Sequence, residues 1–334
     1  MHPLYLEDLR ACVSGADLPR GSVWLVTGAS GLIGSTLTDA LCRCGADITV
    51  IAVGRDERRL RDRFEGCPRV IPFARDISVS AEGLPRADYI VHAASNAHPL
   101  AFSQDPVGTM RANLLGTMNL LEHLRGTGGR RLLLCSTGEV YGQRDTPSSE
   151  SDPGLVDTMD PRSCYPESKR AAETLCAAYV RQYGLEAVIA RLCYVYGPAI
   201  TPENSRADAQ FLRRALAGED IILKSEGTQR RSYCYAADAG NALLTVMLKG
   251  SSGEAYNIAS RGGEASIREY AETLAGLAGV NVRFELPPEA ERQGYSRVTR
   301  AVQDPAKLEA LGWRAKYTLR EGLKRTLAIA RGRL

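Results

Sequence analysis

The sequence predicts an α/β fold in which helices cover both faces of a doubly wound parallel sheet. Short apolar runs alternate with helical stretches through the first half of the chain, and a glycine-rich turn joins the first run to the first helix. The composition, with 44% apolar and 24% charged residues, is that of a soluble globular protein. The length of 334 residues predicts about two domains or one large interwoven unit.

Charge and cysteine content narrow the class of protein. The net charge of +3, from 42 basic and 39 acidic residues, is too balanced to predict nucleic-acid binding. The sequence has no apolar run of membrane-spanning length, and its first residues do not follow the pattern of a signal peptide. Nine cysteines without C-x-x-C spacing and four scattered histidines predict a reduced, cytoplasmic protein with neither a metal site nor a membrane partner.

The strands are predicted from short apolar runs, and the helical stretches that separate most of them imply parallel pairing. Predicted strands cover residues 23–26, 48–53, 70–73, 89–92, 132–135 and 187–191. Predicted helices cover residues 32–44, 56–64, 105–125 and 164–183. After residue 191, prolines and polar residues interrupt the pattern, which predicts a smaller C-terminal α/β region.

The turn after the first strand reads TGASGLIG and opens the first long helix. Its first glycine permits a tight turn, its second lets the backbone approach a pyrophosphate, and its third lets strand and helix pack closely. The N-terminus of the helix offers free N–H groups to phosphates. This context predicts a Rossmann dinucleotide site rather than an ordinary strand–helix turn. The candidate cofactor-binding residues are Gly28, Ser30, Gly31, Leu32, Ile33 and Gly34.

The end of the second strand bears on the choice between NAD and NADP. NAD sites usually place a carboxylate there to bind the ribose hydroxyls, whereas this chain has Gly54 and Arg55. A guanidinium binds phosphate bidentately, so Arg55 favours NADP. Alternatively, Arg55 is a solvated residue at a helix start and Asp56 reaches the ribose. Asp76, placed to lie near the adenine amine, and Ile77 are further candidates after the third strand.

A Tyr-x-x-x-Lys pair, Tyr165 and Lys169, lies near the start of a predicted helix. The spacing of four residues puts both side chains on one helical face. A phenol with an ordinary pKa of about 10 is a poor base at neutral pH, but a nearby ammonium and a nicotinamide cation favour the phenolate. In a chain that also has a Rossmann loop, the pair predicts proton transfer coupled to hydride transfer.

The segment STGEVYG follows the fifth strand, whose carboxyl end faces the ligand crevice of a parallel sheet. Thr137 is placed to hydrogen-bond the reacting oxygen. Glu139 is a candidate catalytic acid or base, or alternatively the partner of a helix cap.

Together these motifs resemble the extended short-chain dehydrogenase/reductase family from about residue 22 onward. The resemblance rests on TGASGLIG, Ala93-Ala94, Asn113-x-x-Gly116-Thr117, STGEVYG, YPESK, Arg191, Val195-Tyr196-Gly197-Pro198 and Gly227-x-Gln229-x-Arg231-Ser232-Tyr233 before Asp238. It implies that Ala93 and Ala94 line the cofactor and that Asn113 lies near the catalytic lysine. It also implies that Arg231 contacts the nucleotide of the substrate.

The resemblance implies a nucleotide-sugar substrate that is oxidised at C4 before the reaction types diverge. In the family, 4,6-dehydratases have Thr-Asp-Glu, UDP-glucuronate decarboxylases have Thr-Ser-Glu and apiose-forming enzymes have Thr-Cys-Glu. Thr137-Gly138-Glu139 is nearer to the last two, so decarboxylation is the preferred hypothesis. An NADPH-dependent reductase of 4-keto sugars or other carbonyls and a C4 epimerase are the alternatives.

The domain and partner predictions follow from the same resemblance. Residues 1–20 are expected to be an N-terminal extension with one short helix, 21–191 the NAD(P)-binding domain and 192–334 mainly the substrate-binding region, interwoven with it. The helices over 105–125 and 164–183 resemble the pair through which family members dimerise, so a homodimer is expected. Candidate substrate-binding residues are Ser95, His98, Thr137, Tyr194, which stands where many members have Asn, and Arg231.

Overall fold

The computed structural model describes residues 1–286 and 298–332, so residues 287–297 and 333–334 of the predicted substrate-binding region lie outside the described residues. Its central feature is a sheet of seven parallel strands. They are β1 (Ser22–Thr27), β2 (Ile48–Gly54), β3 (Val70–Ala74), β4 (Tyr89–His92), β5 (Arg131–Thr137), β6 (Ala187–Leu192) and β10 (Ala255–Ile258). The order β10-β6-β5-β4-β1-β2-β3 reverses direction between β1 and β4, which creates the ligand crevice of a doubly wound sheet. The predicted fold class is confirmed.

The helices are named in chain order. They are α1 (Pro3–Val13), α2 (Leu32–Arg43), α3 (Glu57–Arg63), α4 (Pro99–Gln104), α5 (Pro106–Thr127), α6 (Cys164–Tyr183), α7 (Ala207–Leu216), α8 (Ala236–Lys249), α9 (Ile267–Ala278), α10 (Ala306–Ala310) and α11 (Leu319–Arg331). Side chains alternate across the sheet, so Trp24 packs in one core with α2 and α8 while Leu25 packs in another with α5 and α6.

Local sequence signals set the ends of the two long helices that carry the site. Asp105 caps α5 by accepting a hydrogen bond from the Gly108 N–H at 2.9 Å. Both helices end at a glycine in the left-handed region, Gly128 with φ 66° and Gly184 with φ 67°. Because α5 and α6 pack against each other, residues on both helices can reach one crevice.

The remaining strands build the smaller C-terminal α/β region. They are β7 (Tyr194–Tyr196), β8 (Ile221–Leu223), β9 (Arg230–Tyr235), β11 (Glu264–Ser266), β12 (Val282–Phe284) and β13 (Arg300–Ala301). Tyrosines fill its core: the ring centroids of Tyr233 and Tyr270 lie 4.7 Å apart, and those of Tyr196 and Tyr270 lie 5.7 Å apart. Since β10 returns to the large sheet after residue 192, the two regions are interwoven, and the boundary at residue 191 stays a prediction.

The N-terminal segment contains α1, which packs against α2 and α8. The buried Asp8 accepts hydrogen bonds from the Tyr235 hydroxyl at 2.5 Å and from Arg325 Nε at 2.7 Å. The hydroxyl of Tyr5 donates to Asp39 on α2 at 2.7 Å. The segment is therefore tied to both regions of the fold.

Three further predictions concern the chain as a whole. None of the described helices is long and apolar enough to cross a membrane. Within residues 1–286 and 298–332, no group of three or more His, Cys, Asp or Glu side chains is placed to hold a metal ion. All nine cysteines lie in the described part of the chain, and each is a free thiol.

Candidate active site

The glycine turn lies where the strand order reverses, between β1 and β4. Gly28 has φ +64°, and a Cβ added there would lie 2.8 Å from both the Ala93 carbonyl oxygen and the Ala94 nitrogen. The Ala94 N–H donates to the Thr27 hydroxyl at 3.2 Å, which fixes this close approach. The conformation and the contact both require glycine at position 28.

The start of α2 is shaped to receive an anion. Gly31 is the N-cap residue of α2. Because glycine has no side chain, no side-chain cap accepts hydrogen bonds from the first N–H groups of this helix. A Cβ on Gly34 would lie 2.2 Å from the Gly28 carbonyl oxygen. Ser30, Leu32 and Ile33 are half-buried in the same turn. These residues fit the pyrophosphate of a dinucleotide such as NAD.

The residues predicted to bind the adenosine lie at a more exposed end of the crevice, which we call the adenosine end. Arg55 lies on the surface directly after β2. Asp56 caps α3 by accepting a hydrogen bond from the Arg59 N–H at 2.9 Å, so that carboxylate is already engaged. Asp76 accepts bonds from the N–H of Ser78 at 2.9 Å and from its hydroxyl at 2.6 Å. Ile77, by contrast, is buried in the core beneath α5.

Lys169 lies at the end of the crevice where the predicted catalytic residues are, which we call the reaction end, and it is only 2% exposed. Its Nζ donates to the carbonyl oxygen of Cys135 on β5 at 2.8 Å. Burial lowers the pKa of this ammonium to about 8, because a low-dielectric interior disfavours the charged form. The Lys169 ammonium therefore loses its proton at a lower pH than an exposed lysine does.

Tyr165 lies one helical turn before Lys169 and is also buried. Its ring stacks on Phe102 of α4, with centroids 5.4 Å apart and ring planes at 16°. Burial raises the pKa of the phenol, the Glu139 carboxylate raises it further, and a hydrogen bond with Thr137 lowers it. A positive charge brought by the cofactor would therefore be needed to favour the phenolate.

Thr137 and Glu139 lie at the end of β5. The Thr137 hydroxyl accepts a hydrogen bond from the Glu139 N–H at 3.2 Å and caps the short turn of 3-10 helix Gly138–Tyr141. Glu139 keeps 31% of its side chain exposed, and its carboxylate lies 4.0 Å from the Arg162 guanidinium. Since Thr137 and Glu139 both act on the Tyr165 phenol, three of the four predicted catalytic residues share one site.

A chain of hydrogen bonds connects α5 to the start of α6. The Ser95 hydroxyl donates to Asn113 Oδ1 at 2.7 Å, and Asn113 Nδ2 donates to the Ser168 hydroxyl at 2.9 Å. The Ser168 hydroxyl in turn contacts the Tyr165 carbonyl oxygen at 3.0 Å. Ser95 and Asn113 are therefore connected to the start of α6, the helix that carries Tyr165 and Lys169.

Arg231, which is predicted to contact the nucleotide, and Arg206, which was not predicted, form a cationic cluster around Tyr194. The Arg231 guanidinium lies 4.2 Å from the centroid of the Tyr194 ring, and that of Arg206 lies 5.6 Å from it. Arg206 pairs with Asp208 at 2.9 Å, whereas Arg231 donates to the neutral side chain of Gln229 at 3.2 Å. Two desolvated cations beside one carboxylate leave net positive charge for an anionic ligand.

His98 lies near that cluster, because its partner Ser205 directly precedes Arg206 and the charge of Arg206 acts on its imidazole. The ring Nδ1 of His98 pairs with the Ser205 hydroxyl at 3.2 Å, and burial lowers the pKa of His98. No hydrogen bond or ion pair within the described ranges joins Arg55 or Asp76 to Tyr165.

A sequence profile of the NAD dependent epimerase/dehydratase family matches residues 24–259. The chain belongs to this family. This epimerase/dehydratase chain is 35% identical over 327 residues to UDP-glucuronic acid decarboxylase 5 of Arabidopsis thaliana, covering 96% of this chain and 91% of the plant protein. It is 34% identical to UDP-glucuronic acid decarboxylase 1 of Danio rerio over 308 residues, which is 91% of this chain and 71% of the fish protein.

Solved structures of the family show the same architecture. The UDP-glucose 4-epimerase of Thermotoga maritima, crystallised with UDP-glucose, superposes with a TM-score of 0.80 at 26% identity, over 93% of this chain and 99% of that one. A dTDP-glucose 4,6-dehydratase of Streptomyces venezuelae with NAD bound gives a TM-score of 0.80 at 28% identity, over 93% and 97%. The predicted family is confirmed, and it is an NAD dependent family. The preference for NADP over NAD stays a prediction.

Sequence reasoning missed four residues of this epimerase/dehydratase site. They are Phe102, which stacks on Tyr165; Arg162, which lies beside Glu139; Arg206, whose charge acts on Tyr165; and His92. His92 Nδ1 pairs with the Thr27 hydroxyl at 2.8 Å, while Nε2 is buried without a partner among the described residues. Burial, followed by the charge of Lys169, lowers the His92 pKa to about 3. Only His92, directly before Ala93, stood next to a recognised motif.

Proposed function

We propose that this protein decarboxylates a UDP-glucuronate-type nucleotide sugar through a 4-keto intermediate. The observation that carries the proposal is the turn Thr137-Gly138-Glu139, in which a single carboxylate stands beside Tyr165. No acid occupies position 138 to protonate a leaving hydroxyl, which disfavours dehydration. Similarity to UDP-glucuronic acid decarboxylases over almost the whole chain supports the same reaction.

The side chains divide the chemistry between them. Tyr165 takes the proton of the sugar C4 hydroxyl while Thr137 holds the same oxygen by a hydrogen bond. The residues of the glycine turn would hold the nicotinamide cofactor, which would supply a reversible hydride acceptor for C4. The C4 ketone stabilises the electron pair left at C5 when the C5–C6 bond breaks and carbon dioxide departs. We assign to Glu139 the transfer of the proton that C5 then needs.

The cationic cluster supports a nucleotide diphosphate as the common part of the substrate. The Arg231 guanidinium has no carboxylate partner within the described residues, and the side chain of Gln229, to which it donates a hydrogen bond, is neutral. An anionic ligand would therefore supply the negative charge that Gln229 lacks. Tyr194 offers an aromatic face and a hydroxyl where many relatives have an amide. Ser95 and His98 are proposed to line the sugar side of the same crevice.

We infer two finer properties. Arg55 is exposed and Asp56 is occupied as a helix cap, so the residues at the end of β2 favour the 2′-phosphate of NADP over the ribose hydroxyls of NAD. Val107 and Met110 are 68% and 42% exposed on α5, which supports a homodimer built on α5 and α6. Light scattering at micromolar concentration tests the dimer, and a monomer would refute it.

A C4 epimerase is the second candidate, because it also needs no acid at position 138 and a solved 4-epimerase shares the fold. A panel of UDP-, dTDP-, GDP- and CDP-sugars, with products identified by mass spectrometry, separates the two. The proposal expects UDP-glucuronate to lose the mass of carbon dioxide. Conversion to an isomer of unchanged mass would establish the epimerase instead.

A further inference from the structure

The segment between β7 and α7 connects several parts of the cofactor crevice. It consists of residues 198–205, which we call the strap. Directly before the strap, a Cβ added to Gly197 would lie 3.5 Å from Cδ1 of Leu32 in the glycine turn. Directly after it, Arg206 is the N-cap of α7 and belongs to the cationic cluster. The strap therefore leads from the turn that fits a pyrophosphate to the residues that are proposed to bind the substrate nucleotide.

An ion pair fastens the strap to the cofactor-binding region beyond β2. The Glu203 carboxylate pairs with Arg59 in the first turn of α3, with Nη1 3.2 Å from Oε1 and Nη2 3.4 Å from Oε2. Such a bidentate pair fixes the orientation of both side chains as well as their separation. Because Arg59 is partly exposed and Glu203 is exposed, the pair adds little to the free energy of unfolding. Its main effect is therefore on the position of the strap.

A second fastening joins the strap to α4, beyond β4. The Ser205 hydroxyl accepts a hydrogen bond from the Leu100 N–H at 3.2 Å and pairs with His98 Nδ1, also at 3.2 Å. The same short helix carries Phe102, whose ring stacks on Tyr165. The strap is therefore attached to the helix that lies against the predicted catalytic tyrosine.

The two fastenings lie on opposite sides of β1. In the sheet order β4-β1-β2, helix α3 follows β2 and helix α4 follows β4, so both helices start from the carboxyl edge of the sheet. A segment attached to both helices spans the carboxyl end of β1, where the glycine turn begins. The fastened strap therefore closes the outer side of the crevice in which a dinucleotide binds.

We propose that the strap is a gate for the dinucleotide cofactor, held closed by the Arg59–Glu203 ion pair and by the hydrogen bonds of Ser205. The cofactor enters and leaves when the strap detaches from α3 and α4. The residues that fasten the strap are positioning residues, because they act on the cofactor through this segment and do not touch the reacting atoms. The proposal concerns the cofactor alone and holds whichever reaction follows the oxidation at C4.

A gate has a kinetic signature that a direct contact to the cofactor lacks. Opening precedes both entry and release, so a weaker fastening raises the association and the dissociation rate constants together and leaves Kd within about twofold. Loss of a direct contact would instead raise the dissociation rate constant alone.

Stopped-flow fluorescence of NADH measures both rate constants, and a parallel series uses NADPH. Glu203→Gln should raise both constants about threefold, because exposed ion pairs are weak. Ser205→Ala should raise both about tenfold, because two hydrogen bonds are lost. The double variant should reach about thirtyfold, the product of the single effects, because both fastenings must open.

Matched controls change the same chemical groups away from the strap. Glu219 pairs with Arg214 at 3.4 Å, and the two side chains are exposed to nearly the same extent as the strap pair, so Glu219→Gln removes a comparable ion pair. Ser103→Ala removes a hydroxyl that donates to the Leu100 carbonyl oxygen at 3.0 Å within the α4 region. Both controls should keep the wild-type rate constants.

Rate constants that stay at wild-type values in Glu203→Gln and Ser205→Ala would overturn the gate. A rise in the dissociation rate constant alone would also overturn it, because the residues would then act as ordinary binding contacts. No nucleotide sugar is present in these measurements, so failure of the proposed decarboxylation would leave their outcome unchanged.

Discussion

The two ends of the crevice are built in opposite ways. At the reaction end, Lys169 is 2% exposed and bonded to the backbone of β5, and Tyr165 is stacked on Phe102. At the adenosine end, Arg55 is exposed to solvent and the nearby carboxylate of Asp56 caps α3. The comparison teaches that the chemistry rests on buried side chains with fixed partners, whereas cofactor choice rests on solvated ones. Substitutions at the reaction end should therefore nearly abolish turnover, whereas those at the adenosine end should change cofactor affinity only in part.

The largest effect is expected at Tyr165. Tyr165→Phe removes the proposed proton carrier but keeps the stacked ring, so turnover should fall by about a thousandfold or more while cofactor still binds. Steady-state rates and cofactor titration measure the two properties separately. Tyr183→Phe, at the exposed end of the same helix, is the control and should retain the wild-type rate. A fully active Tyr165→Phe enzyme would remove the distinction between the two ends.

Glu139 should give the next largest effect. Glu139→Gln keeps the shape of the side chain but removes its proton transfer, so turnover should fall by about a hundredfold and reduced cofactor should accumulate. Absorbance at the nicotinamide band during single turnover shows this. An enzyme that loses activity with no reduced cofactor would make Glu139 a binding or structural residue, and a nearly unchanged rate would favour a reductase or an epimerase.

Because Lys169 is buried, we expect its replacement by an apolar residue to lower activity and to raise stability. The pKa of Lys169 is about 8 in the fold, against about 10.4 for an unfolded chain. Between these values the unfolded chain binds more protons, so this group's destabilising contribution is complete below pH 8 and disappears as the pH rises towards about 10.4.

Lys169→Met should therefore abolish turnover yet raise the thermal midpoint of the cofactor-free protein at pH 7 by roughly 2–5 °C. The gain over the wild type should shrink between pH 8 and 10. Calorimetry at several pH values measures it. A midpoint that falls at pH 7 would show that the bond to the Cys135 carbonyl outweighs the buried charge.

The smallest effect is expected at Arg55. Arg55→Ala should weaken NADP binding by about tenfold and leave NAD binding almost unchanged, because only NADP has the 2′-phosphate that a guanidinium binds. Isothermal titration with both cofactors measures the ratio. Equal losses, or a wild-type preference for NAD, would refute the inference about NADP but would leave the glycine turn as a dinucleotide site.

The sequence predicted the parts of this molecule in which neighbouring residues act together. The glycine turn and the Tyr165–Lys169 pair are local patterns, and hydrophobic runs placed β1 to β6 within a few residues of their observed bounds. Contacts between distant segments could not be predicted. Gln303 meets Gly138 only because β13 brings the C-terminal segment beside β9, and Phe102 reaches Tyr165 only because α4 folds over the start of α6.

The most direct test of the account uses UDP-glucuronate labelled with carbon-13 at C6. With the wild-type enzyme and cofactor, the account predicts release of labelled carbon dioxide, formation of a UDP-pentose and no net reduction of cofactor at completion. Tyr165→Phe should release no label. Retention of the label in an isomeric UDP-sugar, or net consumption of reduced cofactor, would contradict the decarboxylation mechanism.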